Sequence, residues 1–195
     1  DVNVTGSDSA IFYFNSTGSI AGFGENLRIL STAPGASFIL GLFETAQFNF
    51  TNTFLNTVEL GTDSVTAVTG KDSVIRLGTN VTINGTGDGQ TGVASDGQAV
   101  PPASFIAGYT NYEVVNESTI NLQNSSTGIY AKNGARVYNS GTIGVENNAT
   151  GISAKGSGSI IDNYGNVSAG KGSDALYMKD GDSISNYGNL SAIKV

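Results

Sequence analysis

The chain has no cysteine, no histidine and no tryptophan among its 195 residues. Without cysteine there is no disulfide, no thiolate nucleophile and no Cys-ligated metal. Without histidine the commonest general base and metal ligand is missing, and a Ser-His-Asp arrangement cannot be built. Charge is scarce too: Asp, Glu, Lys and Arg make up 13% of the residues, against about a quarter in ordinary globular domains. Nine basic residues face sixteen acidic ones, a net charge of −7, so nothing offers the clustered Lys and Arg that a nucleic acid backbone requires. A single Met and few Leu argue against a helical bundle, and no apolar run approaches the roughly 18 residues of a membrane-spanning helix. The opening "DVNVTGSDSA" carries no basic, apolar signal segment, and the chain stops inside a repeat at Val195, so an excised or processed piece is expected.

What is present is Gly, Asn, Ser and Thr, and a sequence that repeats itself. "GIYAKNGARVYNSGTI" from Gly128 returns as "GISAKGSGSIIDNYGNV" from Gly151 and "ALYMKDGDSISNYGNL" from Ala175. Aligned on Asn139, Asn163 and Asn186, each copy has a β-branched residue two positions before the Asn (Val137, Ile161, Ile184). Apolar residues follow four positions after it (Ile143, Val167, Leu190) and six after it (Val145, Ala169, Ala192). Ile129 and Ala131 match Ile152 and Ala154, then Leu176 and Met178. The step of two is strand periodicity. An earlier copy, "VVNESTINL", places Asn116 in the Asn slot. "VIRLGTNVTI" puts Ile75, Leu77, Val81 and Ile83 in the same slots, with Leu77 replacing the Asn.

A unit of this size with two or three short strands cannot bury a core alone and becomes stable by stacking. The fold expected is all-β: a right-handed parallel β-helix, or β-solenoid, with coils of about 23–27 residues and an irregular Phe-rich N-terminal region. Residues 61–195 form the solenoid. Residues 1–60, which hold eight of the nine Phe, form atypical or capping coils. A loop insertion is expected at 95–112, because Gly92 to Gly128 spans about a dozen residues more than one coil needs. The column Asn116, Asn139, Asn163 and Asn186 reads as a structural ladder. An Asn beside Gly or Ser can take the left-handed conformation at a corner, and stacked amides can bond one another.

Chemistry is sparse. "GTGDGQTG" is Gly-rich but lacks the Lys-Ser/Thr ending of a phosphate-binding loop. Polysaccharide-cleaving solenoids set paired carboxylates on adjacent coils. Here Asp162 has Tyr138 and Ser185 as its equivalents, so no pair lines up. No cofactor is expected, no metal ligand set is assigned, and an isolated Ca²⁺ site stays open. Two columns stand out on the outside: Lys132, Lys155 and Lys179, and the aligned Tyr164 and Tyr187, with Tyr130 and Tyr177 flanking Ser153 in another column. With Tyr109 and Tyr112 near the base of the loop, Lys132, Lys155, Lys179, Tyr164 and Tyr187 make the candidate recognition surface; stacking between coils is the alternative account of the aromatics.

The pattern "GIYAKNGARVYNSGTI…NNATGISAKGSGSIIDNYGNV" resembles the passenger domains of type V autotransporters and is most similar to the large surface adhesins of fusobacteria. The resemblance covers about 116–195 and fades before residue 80. It implies a non-enzymatic passenger displayed at the bacterial surface, anchored at the outer membrane through a C-terminal β-barrel that lies outside this sequence, or released. Its partner would be a protein or glycan on a bacterial or host cell, with no role for nucleic acid. Two other readings stay open: a stalk that holds a binding tip elsewhere in the passenger, and a polysaccharide-active β-helix enzyme.

Overall fold

The computed structural model describes residues 2–4, 10–14, 20–22, 28–31, 37–41, 47–50, 56–69, 74–97, 112–181 and 183–192. These residues form parallel sheets stacked as a β-solenoid, with three faces and no helix among the described residues. Face I stacks Val2–Val4, Arg28–Ser31, Asn56–Leu60, Val81–Gly85, Thr119–Leu122, Thr142–Val145, Asn166–Ala169 and Asn189–Ala192. Face II stacks Ala10–Phe14, Ser37–Gly41, Val65–Thr69, Thr91–Asp96, Thr127–Lys132, Thr150–Lys155 and Asp174–Lys179. Face III stacks Ile20–Gly22, Gln47–Phe50, Val74–Leu77, Val114–Asn116, Arg136–Asn139, Ile160–Asn163 and Ser183–Asn186. The chain visits the faces in the order I, II, III and begins the next coil.

The register follows the repeat residue for residue. Val114, Val137, Ile161 and Ile184 pair in sequence on face III, and Ile75 precedes them. Ile120, Ile143, Val167 and Leu190 do the same on face I, below Ile83. On face II the column is Val93, Ile129, Ile152 and Leu176. Buried and accessible residues alternate in strands such as Arg136–Asn139, and the interior is filled by two apolar columns on each of faces I and II and by one aliphatic column beside the Asn on face III. Each fully buried Val, Leu or Ile contributes about 1.5–3 kcal/mol of transfer free energy, repeated coil after coil.

The ladder continues toward the N-terminus in wider coils. Val2 pairs with Ile29 and Ile29 with Val58, steps of 27 and 29 residues, against 23 and 24 in the Asn column. The side chains of the Phe-rich segment lie outside the described residues. Strand Thr91–Asp96 runs through the first two positions of the expected loop, and Ser95 is buried. Val93 pairs with Ile129, 36 residues on, so the added length falls between Asp96 and Val114.

The Asn column is a hydrogen-bonded ladder, buried at Asn116, Asn139 and Asn163 and exposed at Asn186. Asn116 Nδ2 donates to Asn139 Oδ1 at 2.7 Å, Asn139 to Asn163 at 2.6 Å, and Asn163 to Asn186 at 2.7 Å. A buried primary amide is costly unless paired, and here each one satisfies the next. At the upper end Leu77 stands where the next amide would be, and the free Oδ1 of Asn116 instead accepts from the N–H and hydroxyl of Ser118.

These Asn do not take the left-handed conformation expected at a corner. The described residues with positive φ sit at the other two corners: Asn133, Gly156 and Asp180 between faces II and III, and Asn124, Asn148 and Gly172 between I and II. The ladder Asn instead end extended strands, because a side chain pointing inward to the next coil needs strand geometry. Their carbonyls hold the corner: Asn139 O accepts from the N–H groups of Tyr164 and Gly165, and Asn163 O from those of Tyr187 and Gly188.

Close approach also accounts for the Gly two residues after Asn139, Asn163 and Asn186. A Cβ on Gly165 would collide with the carbonyl oxygen of Gly141, and one on Gly188 with that of Gly165. Gly92, Gly128 and Gly151 are confined in the same way at the start of face II strands. Gly144 is different: the nearest atom to its would-be Cβ is Asn121 Oδ1 at 3.4 Å.

Two outcomes test this account in urea unfolding. Gly165→Ala should lower stability by about 1–3 kcal/mol, since backbone must shift, whereas Gly144→Ala should be neutral or stabilising by up to about 1 kcal/mol. Asn139→Ala should cost about 2–4 kcal/mol, because it strands a donor on Asn116 and an acceptor on Asn163.

Candidate functional site

Four tyrosines stack along the outside of face III, from Tyr112 ahead of the strand Val114–Asn116, through Tyr138 within its strand, to Tyr164 and Tyr187 at the corner with face I. Ring centroids are 5.4 Å apart for Tyr112 and Tyr138, 5.2 Å for Tyr138 and Tyr164, and 4.7 Å for Tyr164 and Tyr187. The first contact is edge-to-face and the last stacked, both favourable arrangements of the ring quadrupole. Tyr164 is 48% exposed and Tyr187, in the last coil of the sequence, 68%.

Local sequence sets this up. Tyr164 and Tyr187 follow the last residue of a face III strand, where Asn163 and Asn186 turn inward and the next side chain is directed outward. Tyr138 comes one residue before its Asn and shares its register column with Asp162, not with Tyr164. The diagonal contact between Tyr138 and Tyr164 is therefore invisible to column alignment, and Tyr138 is the member that sequence reasoning missed. Its signal is proximity alone: a Tyr within one residue of each Asn in three successive coils.

Tyr112 is fastened at the upper end. Its hydroxyl donates to Asp162 Oδ2 at 2.6 Å, reaching across two coils. Burial, then this hydrogen bond and the charge of Asp162, push the phenol above its usual value. Tyr164 is also shifted upward, first by desolvation against its neighbours and then by Tyr187. Asp162 thus serves as the anchor of the aromatic strip.

The lysine column lies elsewhere. Lys132, Lys155 and Lys179 align on face II as expected, away from the Tyr strip. Lys132 Nζ is 3.0 Å from Asp96 Oδ2, and the same carboxylate accepts from Asn133 Nδ2 at 2.7 Å. Lys155 Nζ sits 5.4 Å from the centre of the Tyr130 ring. The basic stripe is thus partly neutralised by Asp96 and partly spread over an aromatic face, each contact worth no more than about 1 kcal/mol at the surface. The structure therefore divides the predicted recognition surface: Tyr112, Tyr164 and Tyr187 come together with Tyr138, while the three Lys occupy another face. Tyr109 lies outside the described residues.

Face I carries the third feature. Its outward column is Glu59, Asn84, Asn121, Gly144, Ser168 and Ser191. Asn121 Nδ2 donates to Asn84 Oδ1 at 3.1 Å and Asn84 Nδ2 to Glu59 Oε1 at 3.0 Å. Below them the side chains shrink to Gly and Ser, and an open groove of about 570 Å³ runs along the face. Among the described residues no three carboxylates gather in a way that could hold a metal ion.

The fold and surface define a parallel β-solenoid with one aromatic corner. No family model matches the chain, and no curated protein or solved structure matches it.

The raised Tyr112 value has a pH consequence. A phenol held above its unfolded value of about 10 adds stability that is fully present below pH 10 and is lost as pH rises beyond it. Unfolding free energies at about pH 8 and pH 11 should therefore fall more steeply for the native chain than for Tyr112→Phe. The difference between the two proteins isolates this hydroxyl from the other tyrosines.

Proposed function

We propose that this chain is a non-enzymatic recognition segment of a bacterial surface adhesin, which contacts a protein or glycan on another cell through its tyrosine corner. The observation that carries the reading is the strip formed by Tyr112, Tyr138, Tyr164 and Tyr187, with its last two rings substantially exposed. Tyrosine offers a large amphipathic contact area at small entropy cost, and stacking removes the remaining freedom of the rings before any partner arrives. Sugar rings and apolar protein side chains are both suited to such a strip. The repeat's resemblance to autotransporter passengers supplies the cellular setting: display at the outer membrane, or release from it.

A stalk is the second reading, favoured by a different observation. From Ile75 to Val167 the aliphatic columns are buried by neighbouring coils and the amide ladder is paired, so these inner coils are held by their neighbours alone. A spacer needs nothing more than that.

Binding of the purified chain to a glycan array and to intact bacterial and host cells separates the two. For a recognition segment, Tyr164→Ser with Tyr187→Ser should weaken binding at least tenfold, while Lys155→Ala on face II leaves it unchanged and the unfolding midpoint stays within the range of a surface change. Binding that survives loss of both tyrosines removes the corner from the function. No binding by the folded chain selects the stalk.

A further inference from the structure

The triplet Asn-x-Ser/Thr recurs through the chain, and within the described residues it begins at Asn80, Asn84, Asn116, Asn124, Asn148, Asn166 and Asn189. It is the acceptor pattern for N-linked sugar, in which the amide nitrogen of Asn is modified and the hydroxyl two residues on is required. The structure sorts these triplets sharply.

Asn116 and Ser118 are both buried, and Asn116 is committed to the amide ladder. Asn124 donates through Nδ2 to Thr86 O at 2.8 Å, and its Ser126 is buried with the hydroxyl on Gln123 O. Asn84 is half-buried and bonded to Glu59. Asn80 and Thr82 are both half-buried, as is Thr150 in the triplet of Asn148. In Asn166-Val-Ser168 both the Asn and the Ser are exposed, and Asn189-Leu-Ser191 repeats that register in the last coil of the sequence, where every residue of the strand is exposed.

Strand geometry explains the pairing. Residues two apart in a strand face the same side, so in Asn166–Ala169 the Asn and Ser project outward while Val167 and Ala169 are buried. Asn166 is registered with Asn189 and Ser168 with Ser191, giving two identical acceptors on successive coils. Asn166 enters their contact as an acceptor, receiving Asn189 Nδ2 at 2.9 Å in an exposed bond that water can replace. Ser168 and Ser191 also line the open groove of face I, where Gly144 leaves the space clear. A sugar on either Asn has room beside it, and the neighbouring hydroxyls and the Asn121 amide offer polar contacts.

The geometry points to face I as a modification face, with Asn166 and Asn189 carrying N-linked sugar. The donor is a sugar activated at its anomeric carbon as a phosphate or diphosphate ester. The bond from the anomeric carbon to phosphate oxygen breaks, the phosphate leaves with the electron pair, and a bond from Nδ2 to the anomeric carbon forms. Nδ2 gives up one proton to base, and nothing is oxidised or reduced. The modification is independent of the adhesive reading, because it is read as mass on a named Asn and not as binding.

The test is peptide mapping, with fragmentation that preserves sugar linkages, of the chain isolated from the cells that make it. Sugar should be found on Asn166 and Asn189, with none on Asn116. In the same cells Ser168→Ala should abolish modification at Asn166 and Ser168→Thr should retain it. Both changes sit on an exposed position and leave the interior untouched. Short, heterogeneous additions would identify a nucleotide sugar as donor, and one uniform oligosaccharide a lipid-linked diphosphate. Bare Asn166 and Asn189 in the native chain overturn the proposal. So does equal modification of Asn116, since surface geometry would then select nothing.

Discussion

The interaction on which the rest of this molecule depends is the parallel backbone ladder between coils. It fixes the rise from one coil to the next at about 4.8 Å, the spacing of hydrogen-bonded strands. Every side chain that recurs in register therefore meets its equivalent at that distance. The spacing suits an aliphatic contact, an amide-to-amide hydrogen bond and a stack of aromatic rings. All three occur: the Ile and Val columns, the Asn ladder at 2.6–2.7 Å, and Tyr164 on Tyr187 at 4.7 Å. The same rise leaves no room for a Cβ where one coil's carbonyl presses on the next, and there the chain carries Gly141, Gly165 and Gly188.

The ladder also explains where variation is permitted. Loss of the amide at Leu77 is tolerated because Ser118 closes the buried end of the series, in a slot where the later coils carry Gly. One substitution in a stacked column thus requires a second in the coil next to it. Changes of one residue in coil length are absorbed at corners held by left-handed residues such as Asn133 and Gly156, where no column passes through. The large change, between Asp96 and Val114, likewise falls between strands of faces II and III and leaves the pairing of Val93 with Ile129 intact.

This physics decides what could be read from sequence. Inward columns repeat in register, so the strand pattern, the Asn column and the pairing of Ile75 through Ile184 were all legible before any coordinates. Backbone conformation at the Asn was not, because Asn serves equally as a left-handed turn residue and as an interior amide, and only the direction of the side chain separates the two. Outward contacts were partly legible. The Tyr164 and Tyr187 pair follows register, whereas Tyr138 reaches its neighbour by leaning across the column, and Tyr112 joins through Asp162 two coils away. Charge pairing was hidden for a similar reason: Asp96 lies 36 residues from Lys132 in the chain and one rung away in space.

A solenoid that satisfies its interior by repetition leaves its outer columns outside the core. Exposed residues that nevertheless form an order of their own need a separate explanation. On face II the order is weak, with one Lys paired to Asp96 and another resting over Tyr130. Along face III to its corner with face I it is strong: four rings in contact and one of them tied to a carboxylate. Preorganised aromatic surface costs solubility and gains nothing for the core, which is why our proposal places recognition on that strip and not on the lysine column.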